Sequence, residues 1–333
     1  MPLVFSTGCL FGLFPLFFSV CVCVFAFACV WDEGRSSSTF CMQQDHRPLV
    51  VLVVGMAGTG KTTLVHRMQH YAMEQNKRAY FMNLDPAVAD VPYNANIDIR
   101  DTVNYKEVMK QYRLGPNGAI MTALNLFATK FHQAISILEK KENLEWIVVD
   151  TPGQIEVFTW SASGQIIGET FAATWPTVLL FVADTTRCAS PQTFMSTMLY
   201  SSSIMLKQQI PLLLAFNKTD VVSSDAVVLW MKDPDALADA VNSNSGDGNY
   251  AGSLVQSLSL FTHGFYESLP VASVSAASGR GMEALEQALE AAKLQYLSDR
   301  LPEFKKQEKR RNEERAAASE KMLFAYQRDR VDD

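Results

Sequence analysis

Apolar residues fall in short unbroken blocks at 48–55, 79–85, 144–153, 177–186, 210–220 and 269–276, separated by polar or amphipathic stretches of helix length. A run such as "PLVVLVVG" (48–55) lacks the polar alternation of a half-exposed strand and is typical of one covered on both faces. Strands alternating with helices predict crossover units and a mostly parallel sheet flanked by helices, an α/β architecture. Ligands in such sheets gather at the carboxyl ends of the strands, and every motif below falls at one.

Helices are expected over 104–113 and 122–140. Between them "LGPNGAI" (114–120) reads as a surface turn, because Pro116 presets φ while Asn117 and Gly118 tolerate positive φ. A helical insertion occupies about 221–266. It begins with a helix in "DAVVLWMKDPDALADAV" (225–241), loosens through "NSNSGDGNYAGS" (242–253) and closes on an apolar helix. A last helix over 281–297 leads into a mixed-charge tail, 301–333, that reads as disordered or helical.

The amino-terminal segment stands apart. Residues 1–31 hold no charge, and Asp32 is the first charged residue. Residues 1–41 therefore read as an apolar extension, either a signal anchor or a segment upstream of the true start. The second is favoured: no Lys/Arg cluster flanks the apolar run to set orientation, and Met42 opens "MQQDHRPLVVLVVGMAGTGKTT" in the manner of a soluble nucleotide-binding protein. The working domain is then 42–300. Five of six cysteines (Cys9, Cys21, Cys23, Cys29, Cys41) lie in that extension, leaving Cys188 alone in the main body. The body thus has no disulfide framework or metal-ligand spacing and reads as reduced and intracellular. A net charge of −6 argues against non-specific nucleic-acid binding.

"GMAGTGKT", Gly55 to Thr62, satisfies G-x-x-x-x-G-K-[ST] in the required strand–loop–helix context. Gly55, Gly58 and Gly60 let backbone N–H groups turn inward around phosphates, beside a helix N-terminus that favours anions. Thr59 and Thr63 belong to the same nucleotide-binding loop, Lys61 is expected on the β/γ-phosphates, and the Thr62 hydroxyl on Mg²⁺. The chain binds a nucleoside triphosphate.

"NKTD" (217–220) ends the 210–220 block and "SVSA" (273–276) ends the next. Asp220 can accept both N1–H and the exocyclic amine of guanine, whereas the N1 acceptor of adenine would leave it unpaired. Asn217 braces the base loop, the Lys218 stem packs on the ring, and Ser275 and Ala276 bring a backbone N–H toward guanine O6. The base is guanine, and the ligands are GTP and GDP.

"DTPGQIE" (150–156) supplies the γ-phosphate side: Asp150 for the Mg²⁺ shell, the Gly153 N–H for the phosphate, and Gln154 to orient the attacking water. Asp85, in "NLDPA" (83–87), is expected to position or deprotonate that water, with a role as local cap the simpler alternative.

The ordered set "GMAGTGKTT", "NLDPA", "NIDIRDTV", "GPNG", "DTPGQIEVFTWSASG", "NKTD" and "SA" resembles the GPN-loop GTPases from about residue 48 to 300. The resemblance implies a P-loop NTPase fold and a dimer, with a paralogous GPN-loop GTPase or with itself, whose subunits face each other across their nucleotides. The loop Gly115, Pro116, Asn117 would then be directed at the partner's γ-phosphate, Asn117 acting in trans as a polar donor, with Gly118 permitting close approach. It further implies GTP hydrolysis in assembly and nuclear import of RNA polymerase II, with its subunits and assembly chaperones as partners. Location would be cytoplasmic with shuttling to the nucleus. Arg100 and Arg113 are possible charge donors, but a surface ion pair is the commoner role for Arg100.

Three other readings compete. One is a GTP-stabilised assembly adaptor with little turnover. Another is a membrane-anchored GTPase. The third is a dimeric ATPase with a deviant phosphate loop, which would want an additional lysine where this chain has Met56 and Ala57. His66 and His70 are four apart on one helix, but Mg²⁺ prefers oxygen and a third ligand is not evident. Phe194, Met195, Met198, Leu199 and Met205 read as core filling or as a groove for a client peptide. Phe158 and Trp160 read equally as core or as a nucleotide-sensitive apolar patch.

Overall fold

The computed structural model describes residues 47–244, 250–267 and 269–303, with a few isolated positions as far as 314. The apolar extension over 1–41, nearly all of the charged tail and the centre of the loose stretch lie outside the described residues. From Leu49 the order is β1 (Leu49–Val54), α1 (Lys61–Glu74), β2 (Ala79–Asn83), β3 (Ile97–Asp98), α2 (Ile99–Thr102), α3 (Tyr105–Tyr112) and α4 (Pro116–Glu139). Then come β4 (Trp146–Asp150), α5 (Ile155–Thr159), α6 (Ala162–Thr174), β5 (Thr177–Asp184), α7 (Thr185–Cys188), α8 (Pro191–Gln208) and β6 (Leu212–Asn217). The insertion supplies α9 (Asp225–Lys232), α10 (Pro234–Asn244) and α11 (Tyr250–Glu267), followed by β7 (Val271–Ser273) and α12 (Met282–Gln295).

Among the described residues the seven strands are all parallel, in the order β3-β2-β4-β1-β5-β6-β7. The central strands are unbroken apolar runs because helices cover both faces. Val50, Leu52 and Val54 of β1 pack with Phe127, Phe131 and Phe171, while Leu49, Val51 and Val53 pack with Leu64, Met68, Leu285 and Leu289. Burying each such side chain is worth about 1.5–3 kcal/mol. Register then fixes the site: Asp150 lies opposite Val53 and Asn83, and Asp184 opposite Asn217. Polar residues at the ends of β2, β4, β5 and β6 therefore meet at one edge of the sheet.

Three expectations are corrected. Six strands were expected, and the structure adds β3, whose two residues are too few to show a period. The Gly-Pro-Asn-Gly stretch is a helix start, not a free turn. Gly115 is the N-cap (φ −70°), Pro116 takes the first helical position, and Asn117 and Gly118 lie in the first turn of a 24-residue helix. Proline suits that position because its missing N–H is one a helix leaves unpaired. The left-handed residue near it is Arg113 (φ 51°), which closes α3. The single helix expected over 225–241 is two, broken at Asp233–Pro234, where Asp233 accepts from the amides of Asp235 and Ala236.

Phe158 is core and Trp160 is half exposed, at 51%. Phe194, Met195 and Met198 fill the core under α8. Among the described residues no helix is long and apolar enough to cross a membrane.

Candidate functional site

The loop after β1 turns sharply enough that glycine is needed at two close approaches. A Cβ on Gly55 would lie 2.5 Å from the Val182 carbonyl oxygen. On Gly60, at φ 89°, it would lie 2.6 Å from Asn217 Nδ2. The Thr59 hydroxyl donates to Met56 O at 2.9 Å. Lys61, buried at the first position of α1, donates to Gly55 O (2.7 Å), Met56 O (3.1 Å) and Gly153 O (3.4 Å). Burial pushes its ammonium pKa down, opposed by the charges of Asp150, Asp85 and Glu156. Its contact with Gly153 O ties the phosphate loop to the β4 end. Thr62 is half-buried and Thr63 exposed on the same turn.

Asp150 ends β4 almost wholly buried. Tyr93 donates to its Oδ2 at 3.2 Å, while Oδ1 is buried with no hydrogen-bond partner among the described residues. Burial pushes the carboxyl up to about 6, against hydrogen bonding by Thr62, the Lys61 charge and Tyr93. A desolvated carboxylate with one oxygen unmatched suits a hard cation, so Thr62 and Asp150 fit Mg²⁺. Among the described residues there is no group of three or more His, Cys, Asp or Glu able to hold a metal by themselves. His66 and His70 meet each other instead, Nε2 to Nε2 at 3.0 Å.

Asp85 Oδ1 accepts from Ala87 N (3.0 Å), the capping role, and Oδ2 accepts from Gly153 N (3.0 Å), which places the carboxylate beside the γ-phosphate motif. Asn83 holds the Asp85 amide (3.0 Å) and reaches Asp98 Oδ1 (3.2 Å). Arg100 is committed to Asp98, its Nη2 2.7 Å from Oδ2, and to the carbonyls of Val88 and Ala89; it is structural. Gln154 is half-buried ahead of α5 and makes no capping hydrogen bond.

The base side is tied to the phosphate side through Asn217. Its Nδ2 donates to Thr59 O (2.9 Å), and its Oδ1 accepts from Lys218 N (2.8 Å) and Ala276 N (3.0 Å). The Ala276 amide expected at guanine O6 is thus held by the brace residue. Lys218, at φ 68°, lies across the loop and donates to Gly58 O (2.9 Å) and Asp184 Oδ2 (2.7 Å). Asp220 is exposed, and Ser275 donates to its Oδ1 at 2.6 Å, which holds the carboxyl below its usual range.

The structure therefore brings together the phosphate loop, Asp85, Asp150 and Gly153, and hydrogen bonds join the loop to Asn217, Asn217 to Ala276, and Ser275 to Asp220. Asn117 is exposed at the start of α4, and among the described residues no hydrogen bond joins Gly115, Pro116 or Asn117 to the phosphate loop. Sequence reasoning missed Tyr93, Asn83, Asp184 and Arg187. The last two lie in "ADTTR", Asp184 closing β5 and Arg187 just beyond it, where only their place at a strand end marked them.

A family described as "Conserved hypothetical ATP binding protein" matches residues 53–295. GPN-loop GTPase QQT2 of Arabidopsis thaliana is 53% identical over 246 residues, covering 74% of this chain and 64% of that protein. The chain thus spans just under two thirds of that relative's length. GPN-loop GTPase 1 of Schizosaccharomyces pombe is 44% identical over 293 residues, covering 86% of this chain and 80% of that protein. Among solved structures, the apo form of PAB0955, a GTPase from Pyrococcus abyssi, matches with a TM-score of 0.64 and 26% identity, over 73% of this chain and 97% of that one.

Proposed function

The chain belongs to the GPN-loop GTPase family, and on that premise we propose that it binds and hydrolyses GTP as a dimer acting on protein clients. One observation carries the choice of base: Asp220 stands exposed, hydrogen-bonded by Ser275, on a loop that Asn217 locks to the phosphate loop. Although the family description says ATP, an acceptor-only carboxylate matches the N1–H and amine of guanine and mismatches adenine.

Asp85 and Gln154 flank the Gly153 amide and position the attacking water, Asp85 taking its proton or orienting it. Lys61 carries its charge from the loop carbonyls to the β/γ-phosphates. Thr62 and Asp150 would hold Mg²⁺, which would supply positive charge to offset that of the phosphates. Asn117 of one subunit donates to the γ-phosphate region bound by the other. An amide stabilises less than a guanidinium, so turnover by one chain type alone is slow.

The partner is a second copy or a paralogous GPN-loop GTPase. RNA polymerase II subunits and their assembly chaperones are the proposed clients, with the protein working in the cytoplasm and shuttling to the nucleus; the ordered motif set supports this by resemblance. The test is steady-state GTP turnover by the purified chain, alone and mixed with a paralogue, with ATP as competitor and size measured with a non-hydrolysable GTP analogue. GTP-selective turnover by a dimer supports the reading. Equal competition by ATP, or a monomer without turnover under every pairing, overturns it.

A further inference from the structure

Five successive carbonyls of the phosphate loop are each held by a side-chain donor. Gly55 O takes Lys61, and Met56 O takes Lys61 and Thr59. Ala57 O takes Arg187 Nη1 (3.3 Å), Gly58 O takes Lys218 (2.9 Å) and Thr59 O takes Asn217 (2.9 Å). A loop with glycine at 55, 58 and 60 has little conformational preference of its own. Committing each of these carbonyls to a side-chain donor fixes the shape of the loop and leaves its remaining amides to face the phosphates. Four of these five donors belong to the phosphate-loop and base-loop motifs. Arg187 does not: it comes from α7, after β5.

Arg187 is placed by Asp184. That carboxylate is buried at the end of β5, caps Thr186 N (3.0 Å), binds Lys218 Nζ at 2.7 Å and stands 3.7 Å from Arg187 Nε. Burial alone would raise its pKa, but the hydrogen bonds from Lys218 and Thr186 outweigh this and hold it below the usual range. One anion thus aims two cations at adjacent carbonyls, Ala57 and Gly58. The Arg187 fork also lies over Gly58, its Nη2 3.4 Å from where a Cβ would sit.

We propose that Arg187, aimed by Asp184, is a positioning residue that holds the outer limb of the phosphate loop in its anion-binding shape and slows nucleotide release. The inference rests on the reading of this site as a guanine-nucleotide site. Its role is distinct from that of Asp220: losing Arg187 loosens the grip on phosphates without altering the choice of base.

The test uses release of a fluorescent GDP from the full chain, hydrogen exchange of the 56–60 amides in nucleotide-free protein, and single-turnover GTP hydrolysis. The variants are Arg187→Ala, Arg187→Lys and Asp184→Asn. Arg187→Ala is expected to speed release about three- to tenfold, the loss of one charge-assisted bond at a half-exposed site. The loop amides should exchange faster, and GTP should remain preferred over ATP by the same ratio. Arg187→Lys recovers part of the effect. Asp184→Asn keeps the cap on Thr186 but loses the charge that aims both cations, and its effect is larger. Unchanged release and exchange would make Arg187 a surface ion pair and overturn the proposal. So would a fall in hydrolysis with release unchanged, which would put the guanidinium on the reacting phosphate. If the unaltered chain holds no GDP, the site reading itself fails, an outcome separate from these.

Discussion

The Gly153 amide donates to Asp85 Oδ2 at 3.0 Å, so the residue expected to touch the γ-phosphate and the residue expected to serve its water are bonded to one another. A γ-phosphate accepting from Gly153 N competes with Asp85 for the same proton. Winning that competition frees one carboxylate oxygen while the other stays on Ala87 N (3.0 Å). Nucleotide state and the freedom of the candidate base are thereby linked through one hydrogen bond. Asp85→Ala should lower single-turnover hydrolysis about 100-fold or more, the usual size of a lost acid–base group. A mere cap would cost about 1 kcal/mol of stability and leave the rate alone. Rapid-quench hydrolysis alongside a thermal melt separates the two.

Asp150 offers a test in which stability and function move in opposite directions. Its carboxylate is desolvated and one oxygen has no partner, an arrangement that costs the fold free energy in the absence of a cation. Asp150→Asn removes the charge at equal size. The nucleotide-free protein should melt higher, while the dependence of GTP affinity on Mg²⁺ should largely vanish. A melt at several Mg²⁺ concentrations checks both, and a lower melting temperature for the variant would show that the charge is already compensated.

Much of this site was readable from residue type and order. The phosphate loop, Asp150, Asn217 and Asp220 sit at strand ends, and an unbroken apolar run announces a buried strand as plainly as a glycine-rich turn announces its exit. What was not readable has physical causes. Ile97–Asp98 is too short for periodicity, and its place at the sheet edge comes from pairing with Met82 and Asn83. Gly115 and Pro116 are helix-start residues as well as turn residues, and local propensity does not separate the two uses. Arg187 follows a strand in an undistinguished polar stretch. Its position over Ala57 exists only because β5 lies beside β1, a tertiary fact with no local signature.

Asp220 makes a prediction about base choice alone. Replacing its carboxylate by an amide, Asp220→Asn, turns one acceptor into a donor. The variant then mismatches the guanine amine and matches xanthine, which carries a carbonyl there. GTP affinity should fall about 100-fold or more, with xanthosine triphosphate binding gained, as expected where the donor–acceptor pattern a site offers its base is reversed. Ser275 can still donate to the amide oxygen, so the loop keeps its brace. Competition binding with the two nucleotides reads the exchange directly, and equal loss of both would mean that Asp220 holds the loop but does not read the base.

Asn117 is the residue whose proposed role depends on a second subunit, and mixing experiments isolate it. Its side chain is exposed in the first turn of α4, and Gly115, not Asn117, is the N-cap, so little stability rests on it. Asn117→Ala should melt at or slightly above the unaltered protein, alanine being the better helix former. Turnover should nonetheless fall about 10²-fold, the cost of losing one preorganised donor. Lys61→Ala subunits bind nucleotide poorly but keep their own Asn117. Mixed with Asn117→Ala subunits, they can offer that amide to an intact phosphate loop across the dimer. In an equal mixture with free subunit exchange, half the dimers are mixed and each has one competent site, so turnover should recover toward about a quarter of the unaltered value, though neither variant is active alone. No recovery at any mixing ratio, with mixed dimers verified by mass, would place the donor within its own subunit, and unchanged turnover by Asn117→Ala alone would return Asn117 to the status of a helix-start residue.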